Sequence, residues 1–98
     1  MRIYIAGPCT GYPDLNYPAF HAEAARLRAL SFEVVSPPEI CAPHLDWEGC
    51  MEVCLAALPR CDVVALLPGW SHSRGALAEV RRANSLGIPC FLAEAFKE

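Results

Sequence analysis

The chain has 98 residues, of which 54% are hydrophobic, and its formal net charge at pH 7 is −3. This length predicts one domain, residues 1–98, and the hydrophobic share excludes a disordered chain. The negative charge argues against binding along a nucleic-acid polymer, although a few local arginines could still hold one phosphate. The longest apolar run is too short to span a bilayer and the N-terminus lacks a signal-peptide pattern, so we expect a cytoplasmic protein without a membrane partner.

The first half of the chain predicts two strands, each followed by a helix. Arg2–Ala6 is the first strand, and a loop rich in turn formers follows it. A helix capped by Asn16 or Tyr17 then carries an apolar stripe of Phe20, Ala24, Leu27 and Leu30. Residues 32–35 form the second strand, and residues 36–45 are a loop. Asp46 is a suitable N-cap for the second helix, which Pro59 ends.

The second half repeats the alternation of strand and helix. Asp62 precedes a third strand with the apolar run Val63–Leu67. A loop at residues 68–72 leads to a third helix from about Ser73 to Leu86. Residues 89–93 are a fourth strand, and the last five residues are a charged tail or a short helical extension.

Strands that alternate with helices predict an α/β fold in which helices cover both faces of a parallel sheet of about four strands. Right-handed crossovers leave few topologies, and we favour the strand order 2-1-3-4. That order places a topological switch point between the first and third strands, where open α/β sheets bind ligands. The loops there, residues 7–15 and 68–72, are rich in Gly, Pro and hydroxyl side chains.

The start of the third helix is the most informative local pattern. Ser73 is a good N-cap, and Gly75 and Ala76 leave open space in the first turn. Helical side chains lean toward the N-terminus, so the carboxylate of Glu79 is aimed at this space. The amides of a helix start attract anions, and we therefore predict that a small anionic ligand binds here.

Six cysteines are many for a chain of this length: Cys9, Cys41, Cys50, Cys54, Cys61 and Cys90. Without a secretory signal their even number does not predict a disulfide framework. Cys50 and Cys54 stand four residues apart on a predicted helix, downstream of His44, so a metal site is one interpretation. The missing C-x-x-C spacing favours the other, buried free thiols, and we expect no metal.

Several groups of residues gain specificity from their common order and spacing: Tyr4-Ile5-Ala6-Gly7-Pro8, Asn16 with Phe20, Pro37, Asp62-Val63-Val64, and Gly69-Trp70 with Ser73-x-Gly75-Ala76-x-x-Glu79. Together they resemble the nucleoside 2-deoxyribosyltransferase-like family, and within it the short DUF4406 branch common in phages and prophages. The resemblance covers nearly the whole chain. It implies a Rossmann-like (flavodoxin-like) three-layer α/β/α fold and a homo-oligomer, dimer or higher. It also implies that the small-molecule partner is a deoxynucleoside or its 5′-monophosphate, that its N-glycosidic bond is hydrolysed or its deoxyribosyl group transferred, and that no cofactor takes part.

The resemblance also implies residue roles. Glu79 matches the glutamate that attacks C1′ of the sugar, and Tyr4 matches a tyrosine beside it. Ser73 matches a serine that touches phosphate in the nucleotide hydrolase branch. Cys54 departs from the pattern, because the family has a catalytic aspartate there, and a thiol cannot replace that carboxylate. A nucleotide-binding module with impaired catalysis is therefore the alternative function.

For each further candidate a structural role stands beside the functional one. Gly7 and Pro8 could approach the substrate closely or form a simple turn after the strand. Trp70 could stack on a base, cover the core or contact another subunit. Arg74, next to the small Gly75, could add charge to a phosphate contact or lie in solvent. By the same reasoning Glu79 could be a surface residue paired with Arg81 or Arg82, and Tyr4 a core aromatic.

Overall fold

A four-stranded parallel sheet is the centre of the fold. The structure is a computed structural model that describes residues 1–97, and within them the strand order is β2-β1-β3-β4. The strands are β1 (Arg2–Ala6), β2 (Glu33–Val35), β3 (Val63–Leu66) and β4 (Cys90–Leu92). This order and the parallel pairing confirm the predicted sheet. The switch point therefore lies between β1 and β3, at their carboxyl ends.

Helices pack on both faces of the sheet: α1 (Tyr17–Ala29), α2 (Pro37–Ile40), α3 (Trp47–Ala57) and α4 (Arg74–Ser85). Side chains of β1 alternate between the two faces, as in any strand. Ile3 and Ile5 pack with residues of α1 in one core cluster. Tyr4 and Ala6 pack with residues of α3 and α4 in the other. Tyr4 thus faces the same layer as the helix that carries Glu79, and the three-layer prediction is confirmed.

The helix starts depend on local capping. Asp46 accepts a hydrogen bond from the backbone N–H of Gly49, and Ser73 accepts one from the N–H of Ala76, as predicted. Asn16 occupies the predicted N-cap position of α1, but its geometry is not that of a usual cap. Its backbone is left-handed, with φ of 62°, and its side chain caps nothing. Instead its Nδ2 donates to the carbonyl oxygen of Pro8 over 2.9 Å, which holds the loop after β1 against the start of α1.

The segment 36–45, predicted as a loop, contains the one-turn helix α2. Pro37 and Pro38 occupy its first two positions, where a backbone N–H would have no partner inside the helix, so proline costs nothing there. No helix in residues 1–97 is both long and apolar enough to cross a membrane.

Candidate active site

A cavity of about 680 Å³ opens at the carboxyl ends of β1 and β3. This is the size of a small-molecule site, and it lies at the predicted switch point. The loop after β1, the segment around α2 and the first turns of α3 and α4 form its walls. Six of the predicted site residues line it: Gly7, Pro8, Ser73, Arg74, Gly75 and Glu79.

The carboxylate of Glu79 lies inside the protein, with 4% of the residue exposed. The hydroxyl of Tyr4, which is fully buried, donates a hydrogen bond to Glu79 Oε2. The salt bridges found within residues 1–97 do not include Glu79. Glu79 is therefore not a surface residue paired with an arginine; its carboxylate is held by a core tyrosine and reaches the cavity.

Burial sets the ionisation of this pair. It raises the pKa of Glu79 from the ordinary value of 4.5 to about 7, and the hydrogen bond from Tyr4 opposes that rise. Burial and the nearby Glu79 carboxylate raise the pKa of Tyr4 well above 10.0, so its hydroxyl stays protonated. A carboxyl group that titrates near neutrality can serve as a nucleophile or in proton transfer, and such groups cluster at functional sites.

The start of α4 gives the cavity a positive end. Ser73 Oγ accepts from the Ala76 N–H over 3.2 Å, and its own hydroxyl proton is left to donate. The guanidinium of Arg74 stands 4.2 Å from the ring centre of Trp47, which keeps the cation at the cavity wall. A Cβ on Gly75 would lie 3.4 Å from Met51 Sδ, so a small residue lets α3 and α4 pack closely here. Helix amides and a cation together favour an anionic group.

Gly7 serves packing inside the protein. A Cβ at this position would lie 2.8 Å from Leu67 Cβ, which no real side chain tolerates. The sequence suggested that a ligand could approach Gly7 closely, but the group that lies closest to it is the side chain of Leu67. Pro8 is also buried, and its carbonyl oxygen accepts a hydrogen bond from the side-chain amide of Asn16.

Trp70, a candidate for stacking on a base, does not line the cavity. It is half-buried and packs against the core cluster that contains Tyr4 and Cys54. The structure therefore supports the core-covering role that the sequence left open. The aromatic side chains that do line the cavity are residues for which we predicted no function: Tyr12, Tyr17, Phe20 and Trp47. Two of them carried a signal, because Tyr12 lies in the turn-rich loop at the switch point and Phe20 belongs to the motifs that resemble the family.

Four of the six cysteines also line the cavity: Cys9, Cys41, Cys50 and Cys54. Cys54, with 3% exposed, belongs to the same core cluster as Tyr4, so the position where the resemblance implies an aspartate lies near the Tyr4–Glu79 pair. All six cysteines are free thiols. Within residues 1–97, no three His, Cys, Asp or Glu side chains are arranged to hold a metal ion.

A second cavity, of about 600 Å³, lies beside the carboxyl ends of β3 and β4. Its arginine, Arg26, is already engaged by the protein. It binds Glu23 and donates to the carbonyl oxygens of Ala93 and Phe96 over 2.9 and 2.7 Å. The second cavity contains no buried carboxylate comparable to Glu79, so the cavity at the switch point is the better candidate.

Comparison with known proteins identifies the family and the fold. The family model described as Domain of unknown function (DUF4406) matches residues 1–92. Among solved structures, a 2-deoxyribosyltransferase from the psychrotolerant bacterium Bacillus psychrosaccharolyticus is similar, with a TM-score of 0.74 and 21% identity. The match covers 94% of this chain and 71% of that chain, and at this identity it shows a shared fold. No curated protein matches the sequence.

Proposed function

Since the chain belongs to the DUF4406 family and has the fold of a 2-deoxyribosyltransferase, we propose that it acts on the N-glycosidic bond of a deoxynucleoside or its 5′-monophosphate. Glu79 is the nucleophile, and the product is either the hydrolysed sugar or a transferred deoxyribosyl group. One observation carries the proposal: a buried carboxylate, oriented by a core tyrosine, faces a cavity of nucleotide size.

The chemistry follows that of retaining glycosidases. A Glu79 oxygen attacks C1′ of the sugar, the C1′–N bond breaks, and the base leaves with the bonding electrons. Water or an acceptor base then attacks C1′ of the glycosyl ester and releases the carboxylate. Tyr4 donates to Oε2, which fixes the carboxylate in one orientation. With a pKa near 7, a substantial fraction of Glu79 is ionised at neutral pH.

The positive end of the cavity supports a phosphorylated substrate and hydrolysis. Ser73 can donate its hydroxyl proton to a phosphate oxygen. The free backbone amides at the start of α4 also favour an anion at this end of the cavity. Arg74 adds a cation at this end. A 5′-phosphate bound there would direct the sugar toward Glu79, one and a half turns farther along the helix.

Cys54 supports a second candidate, a nucleotide-binding module without efficient turnover. Burial raises the pKa of its thiol, so it remains neutral and supplies no carboxylate to the sugar hydroxyls or the leaving base. Such a protein would sequester a nucleotide or a nucleotide-derived signal.

One experiment separates the two candidates. The purified protein is incubated with the four deoxynucleoside 5′-monophosphates and the corresponding deoxynucleosides, and free base is followed by chromatography. Base release that is lost in Glu79→Gln but kept in the exposed control Glu52→Gln supports the enzyme. Calorimetric binding without release supports the binding module. Absence of both binding and release contradicts both candidates.

We also propose a homo-oligomer, dimer or higher. The strand β4 lies at the edge of the sheet and exposes large apolar side chains, with Phe91 at 52% and Leu92 at 49%. Exposed apolar side chains on an unpaired edge are a common basis for association. A sedimentation measurement that gives only monomer at micromolar concentration would contradict this.

A further inference from the structure

Two thiols in the wall of the cavity are in direct contact. Cys41 follows the last turn of α2, and its Sγ lies 3.7 Å from the Sγ of Cys54 on α3. Cys41 is half-buried and lines the cavity, so a small oxidant can reach it. Cys54 is buried behind it. The backbone of Cys41 is extended rather than helical.

From this geometry we propose that Cys41 and Cys54 are a reversible oxidation site, a thiol–disulfide pair that closes the cavity wall beside Glu79. A disulfide bond is about 2.05 Å long, so the sulfurs must approach by roughly 1.7 Å. Cys50 is the competing partner, and the contact recorded between the two residues runs from Cys41 Sγ to the Cys50 carbonyl oxygen, at 3.8 Å.

The reaction balances with a peroxide as oxidant. Burial raises the pKa of the Cys41 thiol, so this thiol first gives up its proton; the thiolate then attacks one peroxide oxygen, and the hydroxide that leaves takes up the proton to give a sulfenic acid and one water. The Cys54 sulfur then attacks the Cys41 sulfur while its proton passes to the sulfenic oxygen, which leaves as a second water. Two electrons have passed from the two thiols to the peroxide. A dithiol reductant reverses the step by thiol–disulfide exchange.

The bond would change the site in two ways. It would tie α2 to α3 across residues 42–53, a segment in which Leu45, Asp46, Trp47 and Met51 line the cavity. It would also move the Cys54 sulfur within the core cluster that contains Tyr4, the partner of Glu79. The effect on substrate rests on the proposed function; formation of the bond does not.

Peptide mapping tests the pairing on the full chain. After treatment with hydrogen peroxide, remaining thiols are alkylated and the protein is cut by a Glu-specific protease followed by trypsin. Cleavage after Glu48, Glu52 and Arg60 places Cys41, Cys50, Cys54 and Cys61 in separate peptides. We expect a linked Cys41–Cys54 species that disappears in Cys41→Ser and persists in the control Cys90→Ser. A Cys41–Cys50 link, or oxidised thiols without a link, would overturn the proposal.

Two further measurements test its effect. Oxidation should raise the urea midpoint of unfolding, because a closed loop restricts the unfolded chain, and Cys41→Ser should show no such rise.

Base release or nucleotide binding should fall about tenfold or more on oxidation and recover with dithiothreitol, since a misplacement of about 1 Å can cost roughly 100-fold. Unchanged binding in the linked protein would refute the effect on the cavity. If the reduced protein neither binds nor releases base, the proposed function fails, while the peptide map and urea midpoint still decide the oxidation site.

Discussion

Tyr4 and Glu79 form a hydrogen bond across 75 positions of sequence, between the central strand β1 and the helix α4. Both residues are buried, yet the carboxylate also reaches the cavity at the switch point. The candidate site is therefore continuous with the core. As a consequence, the ionisation of Glu79 should affect both the stability of the fold and the chemistry of the cavity.

Glu79→Gln should stabilise the protein at high pH. The folded state holds the Glu79 proton more tightly than the unfolded state, because its pKa is about 7 against 4.5. The stabilisation from that proton is complete below pH 4.5 and is lost as the pH rises through 7. Relative to the variant, wild type should lose about 3 kcal/mol of unfolding free energy between pH 4.5 and pH 8. Urea denaturation across this range measures the difference, and Glu52→Gln is the control. Parallel pH curves for wild type and Glu79→Gln would show that the carboxylate is not buried.

Tyr4→Phe should shift the pH dependence of base release upward. The attacking form of Glu79 is the carboxylate, so release should rise with pH through about 7. The hydrogen bond from Tyr4 stabilises that carboxylate, and its loss raises the pKa of Glu79 further. The dependence of kcat/KM on pH reports the shift, and NMR titration of the Glu79 carboxyl group measures it without turnover. In the control Tyr12→Phe the lost hydroxyl makes no hydrogen bond to Glu79, so the pH midpoint of base release should not move. An equal shift of that midpoint in both variants would contradict the role assigned to Tyr4.

The sequence was sufficient to predict the sheet and the direction of Glu79. Continuous apolar runs alternating with helical segments left few strand orders, and the lean of helical side chains aimed Glu79 at the first turn of α4. Both rest on local periodicity and on the general handedness of crossovers. The N-caps at Asp46 and Ser73 were predictable for the same reason, because a cap depends on residues three positions apart.

The walls of the cavity were not predictable in this way. Trp47 lines the cavity and Trp70 packs against the core, and no periodicity of the sequence distinguishes the two positions. The partner of Gly7 is Leu67, 60 positions away, so the sequence showed a small residue without showing what it accommodates. Contacts of this kind are set by tertiary structure alone.

Gly7→Ala should destabilise the fold more than Gly75→Ala does. The new methyl group at position 7 would meet Leu67 Cβ at 2.8 Å, and the backbone just after β1 or β3 would have to shift. Such overpacking costs about 1–3 kcal/mol. At position 75 the nearest atom is the flexible Met51 Sδ at 3.4 Å, and alanine is the better helix former. Urea denaturation of the two variants measures the order, and its reversal would refute the role assigned to Leu67.

Ser73→Ala should weaken the use of nucleotides more than that of nucleosides. The variant loses an N-cap, worth about 1 kcal/mol of stability, and also the hydroxyl proton assigned to the phosphate. A hydrogen bond to a charged group is worth roughly 1.5–3 kcal/mol, so KM for a 5′-monophosphate should rise about tenfold to a hundredfold. KM for the matching deoxynucleoside should change little. The control is Ser85→Ala at the other end of α4, whose hydroxyl donates to the Arg82 carbonyl oxygen. Equal changes in KM for both substrates would show that the phosphate does not bind at Ser73.

Cys54→Asp should increase base release at a cost in stability. The resemblance implies a catalytic aspartate at this position, and Cys54 shares a core cluster with Tyr4 and lines the same cavity as Glu79. A second buried carboxylate there repels the first, so the pKa of Glu79 should rise and the urea midpoint should fall as the pH increases. The gain in release should therefore be largest where Glu79 is ionised and the variant still folds. Cys54→Asn has the same shape without the charge and is the matched control. If the aspartate variant releases base no faster than the asparagine variant, position 54 is not where the family's carboxylate acts, and the thiol no longer explains a loss of turnover.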